Sequence, residues 1–226
     1  MTAVLPPSTT TTGPHTVRLL TRFEGGERLH ALLWRPGPGW RMISSAVLGG
    51  GIGERGWVLN AQVAHGYRRT DPDRHLSELA AGAGAAGPGV GLMTAADVSR
   101  HGRAEDGGAE AVVTAGISVR GWAATPAEGT ALPAQPGTIN IIAVLPVALT
   151  DAALVNAVAT ATEAKVQALL DAGHDCSGTP TDAICVASRT PTPDAPLHPF
   201  AGPRSLWGAR LARAVHLAVG EAVTTG

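Results

Sequence analysis

The sequence predicts an α+β fold: a single domain in which a mixed, largely antiparallel sheet packs with a long central helix and a C-terminal helix. Three observations carry this. Short apolar runs bounded by Gly, Pro and charged residues dominate up to Leu145, long helical periods follow at 150–173 and 206–223, and no repeat or composition break divides the 226 residues.

Residues 1–14 hold five threonines and three prolines with no apolar period, and read as a disordered tail before a domain at 15–226. Partial alternation over Thr16 to Phe23 and Arg28 to Trp34 flanks Glu24-Gly25-Gly26-Glu27, a hairpin signature. Met42 to Leu48 and Trp57 to Val63 read as strands, with the Gly-rich 49–56 between them as a loop. Pro72 between Asp71 and Asp73 starts a helix of about ten residues, which the Gly-rich 82–89 connector ends. Val90 to Ala96, Glu110 to Ser118, Thr138 to Leu145 and Ala183 to Ala187 read as strands, and 121–137 as irregular. Five prolines between Thr190 and Pro203 exclude helix and sheet interior there.

The central helix has marked ends. Thr150 is an N-cap, Asp151 places a negative charge at the positive end of the helix dipole, and Gly173 is a C-terminal stop. At about 100° per residue Leu154, Val155, Val158, Thr162, Val166, Leu169 and Leu170 share one broad face, which also carries Lys165, with Glu163 near its opposite border. Lys165 is the only lysine; the other sixteen basic residues are Arg. A lysine commonly snorkels at the edge of such a face. In a chain that otherwise uses Arg, a surviving lysine also marks a position needing a compact ammonium or a tunable amine.

Composition narrows the functional classes. Hydrophobic residues make up 44% and charged residues 15%, which fits a compact domain whose core is mostly Ala, Val and Leu. A net charge of −1 and the lack of any basic run interleaved with aromatics argue against nucleic acid. No apolar stretch reaches the roughly 18 residues of a membrane span and no basic-then-apolar leader opens the chain, so a cytoplasmic protein without membrane association is expected. Cys176 and Cys185 are too few for a disulfide framework and are expected as free thiols. The eight histidines show no metal-ligand spacing, so no metal is assigned. Gly49-Gly50-Gly51-Ile52-Gly53 lacks the Lys-Ser/Thr of a P-loop and precedes a strand, not a helix, which argues against a nucleotide phosphate.

Polar residues then stand out against this apolar background. Thr179, Thr181 and Asp182 lie in a loop just before a strand, where side chains either meet a ligand or close a turn. Asn60 and Asn140 lie in or beside apolar strands, where a buried amide bonds either to backbone or to a substrate amide.

Taken in order, the segments form a pattern. Its first half is Ile43-Ser44-Ser45-Ala46-Val47-Leu48, Gly50-Gly51-Ile52, Asn60 and Val90-Gly91-Leu92-Met93-Thr94-Ala95-Ala96-Asp97-Val98. Its second half is Val113-Thr114-Ala115-Gly116-Ile117-Ser118, Pro136-Gly137-Thr138-Ile139-Asn140, Thr160-Ala161-Thr162-Glu163-Ala164-Lys165 and Gly178-Thr179-Pro180-Thr181-Asp182-Ala183-Ile184. Over about residues 40 to 220 the sequence resembles the adenosylcobinamide amidohydrolase (CbiZ) family. It departs from the family pattern at Gly49, where Asn is common, and at Arg204-Ser205, in loops expected to border the substrate.

The resemblance implies an enzyme of corrinoid salvage that hydrolyses the amide between the corrin propionyl side chain and aminopropanol, giving adenosylcobyric acid. The corrinoid is then substrate and no cofactor is expected; a homo-oligomer is left open. Amide hydrolysis needs an activated nucleophile, oxyanion stabilisation and a proton for the amine. Glu163 or Asp97 is assigned to water activation, Lys165 to the oxyanion or the amine, and Asn60 or Asn140 to the carbonyl. In a rival scheme Thr138, Thr181 or Ser45 is the nucleophile with Lys165 as base. Ser44, Ser45, Asn60, Thr94, Asn140, Thr179 and Asp182 are the candidate substrate-binding residues. The bland reading of Asp97 is a helix cap, and that of Glu163 a solvated charge. Two alternatives accompany the hydrolase: a corrinoid-binding module without hydrolysis, and a relative acting on another amide.

Overall fold

The computed structural model describes residues 16–125 and 137–225; the expected tail at 1–14 and most of the irregular 121–137 stretch lie outside them. The order of elements is β1 (Arg18–Glu24), β2 (Glu27–Trp34), β3 (Trp40–Ser44), β4 (Gly51–Glu54), β5 (Val58–Gln62), α1 (Pro72–Gly82), β6 (Val90–Thr94), β7 (Gly102–Asp106), β8 (Ala109–Gly116), β9 (Thr138–Leu149), α2 (Asp151–Asp171), β10 (Ala183–Arg189), β11 (Leu197–His198) and α3 (Leu206–Thr225).

The fold is α+β, with the strands divided between two sheets. One runs β1-β2-β5-β6; the other runs β4-β3-β10-β9-β8-β7, with β11 added to β9. Most pairs are antiparallel; β5 with β6, and β9 with β10 and β11, are parallel. The β9-α2-β10 unit is a crossover, so the later half of α2 lies back over the beginnings of both strands, which the register sets side by side at Asn140 and Ala183.

Strand alternation sorts the side chains into layers. On β8 and β9 the odd positions, including Val113, Ile139, Ile141 and Leu145, pack with α2 and α3. The even positions Val112, Ile142 and Val144 join Leu32, Trp34, Val58 and Leu92 between the sheets. Leu76 and Ala80 of α1 cover the far face of the smaller sheet against Leu33 and Leu59. The molecule is thus four layers, helix, sheet, sheet and helix pair. Its buried core is dominated by Ala, Val and Leu, as the composition suggested.

The central helix keeps its expected ends: Ala153 N donates to Thr150 Oγ1, and Gly173 takes a positive φ of 81°. Its buried face is rotated from the expected one. Ala153, Ala157, Ala161, Ala164 and Ala168 are buried with Leu154, Leu169 and Lys165, while Val155 and Leu170 are half exposed. Small side chains let the helix approach the sheet and α3 closely, and that close approach outweighs the larger but unreachable area of Val155 and Leu170.

Three strands escaped the sequence reading. β4 lies inside the expected 49–56 loop because a Gly-rich edge strand carries no apolar alternation. β7 is a charged edge strand, Gly-Arg-Ala-Glu-Asp, turned into β8 at Gly107-Gly108. The two residues of β11 pair with the end of β9 from inside the Pro-rich stretch.

The two glycines of α3 give opposite expectations. A Cβ at Gly208 would overlap the carbonyl oxygens of Gly202 and Ala201, whereas one at Gly220 meets nothing within 4 Å. Gly208→Ala is expected to destabilise the protein by about 1–3 kcal/mol, and Gly220→Ala to stabilise it by about 0.5–1 kcal/mol. Denaturant midpoints at constant slope measure both, and shifts of the same sign would contradict this packing of α3.

Candidate active site

Most of the polar residues picked out by sequence lie along one edge of the two sheets. Alternation turns Thr114, Thr138 and Asn140 toward the gap between the sheets, and Asn60, in the middle of β5, and Thr94, at the end of β6, stand across it. The apolar inter-sheet core therefore ends in a polar layer. Asn60 Nδ2 donates to Thr114 Oγ1 at 2.9 Å, and Asn140 Nδ2 donates to Asn60 Oδ1 at 2.8 Å and to the Met93 carbonyl at 3.1 Å. Both Asn residues are buried and bonded across the gap, so they join the sheets.

A second cluster sits behind this layer, on the helix side. Lys165 Nζ donates to Asp182 Oδ2 at 2.5 Å, and both side chains are mostly buried. Asp182 also accepts from Ile139 N at 2.9 Å, Thr179 N at 3.2 Å and the Thr179 hydroxyl at 2.5 Å. One carboxylate thus ties together α2, the start of β9 and the 178–181 turn. Among the described residues Lys165 has no other hydrogen-bond acceptor, so two N–H groups of this mostly buried ammonium are uncommitted. The Thr181 hydroxyl donates to the Gly137 carbonyl at 2.9 Å and accepts from Thr138 Oγ1 at 2.6 Å. Gly178 is needed beside the pair: its φ is +150°, and a Cβ there would overlap Asp182 Oδ2 and lie 2.6 Å from Lys165 Nζ.

A cleft of ≈ 400 Å³ opens at the same edge, between the loops that follow β5, β6 and β8. His65, Asp97, Arg100 and Arg120 bring charge or a titratable ring to its wall, and Gly116, the strand partner of Thr138, forms part of its floor. Asp97 heads a turn, not a helix: its Oδ1 accepts from Ser99 N at 2.9 Å and Ser99 Oγ at 2.7 Å. Partial burial opposes its charge, but the Ser99 bonds and the charges of His30 and Arg100 outweigh burial and hold the carboxyl below the usual range.

The remaining candidates are turned away or committed to backbone. Glu163 is exposed on α2, turned away from the buried face that carries Lys165. Ser44 Oγ donates to Ile184 O and accepts from Ala46 N, Ser45 Oγ accepts from Ile184 N, and Thr94 Oγ1 accepts from Ala96 N, so these hydroxyls shape strand ends. Neither Gly49 nor Arg204 lines the cleft. Gly49 packs against the Gly89 carbonyl, where a Cβ would overlap it, and Ser205 Oγ accepts from Gly208 N at the start of α3. The thiols are free and buried, and burial pushes Cys185 up to about 12, which removes it as a nucleophile. No cluster of metal-ligating residues occurs among the described residues, and no helix there is long and apolar enough to cross a membrane. His65, Arg100 and Arg120 were not singled out by the sequence; they come from three separate loops and share no spacing.

The family model and the curated relatives that match this two-sheet α+β chain place it among the hydrolases that act on amide bonds. Within that class, the chain belongs to the adenosylcobinamide amidohydrolase (CbiZ) family, whose model matches residues 15–226. It is 33% identical over 177 residues to the adenosylcobinamide amidohydrolase of Methanosarcina mazei, covering 76% of this chain and 84% of that protein. It is 39% identical over 110 residues to the Halobacterium salinarum protein of the same name, covering 47% of this chain and 46% of that protein. A crystal structure of a Pyrococcus horikoshii protein aligns with 92% of this chain and 83% of that chain at 13% identity and a TM-score of 0.49.

Removing the Asp182 charge leaves Lys165 buried and unpaired. Asp182→Asn is expected to cost about 3–5 kcal/mol of stability. A loss under about 1 kcal/mol by denaturant unfolding would show that the pair is not held out of water.

Proposed function

We propose that this chain hydrolyses the amide joining the corrin propionyl side chain of adenosylcobinamide to aminopropanol, releasing adenosylcobyric acid. The observation that carries this reading is the Lys165–Asp182 pair set among Thr138, Thr179 and Thr181 beside an open cleft, in a chain of this family.

The amide-bearing arm enters the cleft. Asp97 activates water there: Oδ1 is held by Ser99, and no hydrogen bond is made to Oδ2 among the described residues. Water adds to the carbonyl carbon, and Lys165, which is mostly buried and does not itself line the cleft, reaches the oxyanion from the helix side with its uncommitted N–H groups. As the C–N bond breaks, Asp97 passes the proton it took from water to the departing amine, and the carboxylic acid remains. Asp182 positions Lys165, since its four hydrogen bonds leave little room for substrate. Asn60 and Asn140 position the two sheets, and with them the two sides of the cleft.

Attack by Thr138 is less well supported. Its hydroxyl donates to Thr181, which donates to the Gly137 carbonyl, and a carbonyl is not a proton acceptor that generates an alkoxide. The departures at Gly49 and Arg204 lie away from the cleft, which favours the hydrolase over a binding module that has lost hydrolysis.

Incubation of the purified protein with adenosylcobinamide is expected to yield adenosylcobyric acid by chromatography; tight binding without product would replace this reading with the binding module, and neither would point to another amide. Lys165→Arg should lower kcat by at least about 10²-fold with the fold intact, because the compact ammonium and the broad guanidinium differ in shape. Near-normal turnover would remove Lys165 from the chemistry.

The pH profile tests the base. Asp97 is held below the usual carboxylate range, so its basic form persists as pH falls, and kcat/KM should drop only below that range. Asp97→Asn should reduce kcat by about 10²-fold or more and abolish that acid limb. Thr138→Ala should stay within about tenfold of wild type; a total loss together with a trapped acyl-enzyme by mass spectrometry would reinstate the threonine nucleophile.

A further inference from the structure

Three tryptophans, Trp34, Trp40 and Trp57, are buried, and the Trp207 ring is engaged by His198 and Arg210. Trp122 differs: it is 45% exposed, although an indole is among the side chains that gain most from burial. Its backbone is nevertheless fixed on both sides. Gly121 N donates to Gly178 O and Ser177 N donates to Gly121 O, both at 3.0 Å; Ala123 N donates to Ser177 Oγ at 2.7 Å; and Thr125 donates to the Trp122 carbonyl through its N–H at 3.2 Å and its hydroxyl at 2.7 Å. An exposed aromatic side chain on an anchored backbone is a pre-organised contact surface.

Its place gives that surface a purpose. Gly178, which pairs with Gly121, is the residue whose backbone lies against Lys165 and Asp182. On the other side Ile117, Ser118 and Arg120 line the cleft. The segment from 117 to 123 therefore runs as a rim from the cleft to the ion pair, and Trp122 stands on it. At ≈ 400 Å³ the cleft is at the small end of ligand pockets, large enough for one side arm and too small for a macrocycle. A substrate cleaved in one arm must keep its ring outside, against the rim.

We infer that Trp122 is a specificity-determining residue, the aromatic face on which the corrin ring rests while its amide arm occupies the cleft. This rests on the amidohydrolase reading above. The interaction holds the remote part of the substrate equally in ground and transition states, so its loss raises KM and leaves kcat nearly unchanged.

Steady-state kinetics with adenosylcobinamide test this in W122L, which keeps an apolar side chain without a ring, and W122F, which keeps an aromatic face. W122L should raise KM by about tenfold with kcat within about twofold, and W122F should recover most of the wild-type KM. Corrinoid quenching of tryptophan emission, large in wild type, should shrink in W122F by more than the removal of one of five indoles explains. Unchanged KM in W122L, a fall confined to kcat, or no rescue by W122F would overturn the assignment while wild-type turnover leaves the hydrolase reading standing. Wild type without turnover would overturn that reading instead; the corrinoid Kd of wild type and W122L then decides, and equal Kd values or no binding would end the proposal for Trp122 as well.

Discussion

One carboxylate holds together the edge of this protein that carries the candidate site. Asp182 receives the ammonium of α2, the first amide of β9 that follows Thr138, and the amide and hydroxyl of Thr179. A buried lysine without that partner is costly, and a buried aspartate without those donors equally so. Each element is therefore held where the carboxylate needs it. The crossover topology makes this meeting local: a helix that returns across the sheet after β9 brings its later half to the starts of both β9 and β10.

The second constraint is the polar end of the inter-sheet core. Two stacked sheets slide and splay unless their inner faces interlock, and along most of their length apolar packing supplies that lock. At the cleft end Asn60, Asn140 and Thr114 supply it by hydrogen bonds across the gap. Asn140 has its amide hydrogens committed to Asn60 and Met93, and its Oδ1 finds no partner among the described residues. A directional lock of this kind fixes the separation of the loops that line the cleft, which apolar contact alone leaves adjustable. The candidate site and the lock between the sheets share one edge because neighbouring strand residues carry both.

Several residues were readable for type but not for role. Lys165 stood out because it is the lone lysine of an Arg-using chain, and its burial agrees with a specific place for it. Glu163 was expected near the opposite border of the face that carries Lys165; with the buried face rotated onto the alanines, its step of about 200° from Lys165 puts it in solvent. Asn60 and Asn140 were recognised as polar groups in apolar strands, yet only the meeting of two sheets shows that they bond to one another. His65, Arg100, Arg120 and Trp122 had no local signal, since a cleft assembled from three loops leaves no spacing in the chain.

The sequence by itself determined the α+β class, the hairpin, most strands, all three helices, the caps of α2, and through its ordered motifs the family. These follow from local propensity, periodicity and motif, which are properties of neighbouring residues. Tertiary structure decided the division into two sheets, the edge strands β4 and β7, and the rotation of α2 onto its alanine face. Those depend on how closely layers approach, and a helix with both an alanine stripe and a Val/Leu stripe offers either face until the sheet beneath it accepts the smaller one. The gathering of Lys165 and Asp182, seventeen residues apart, with Thr138 a further strand away, belongs to the same level.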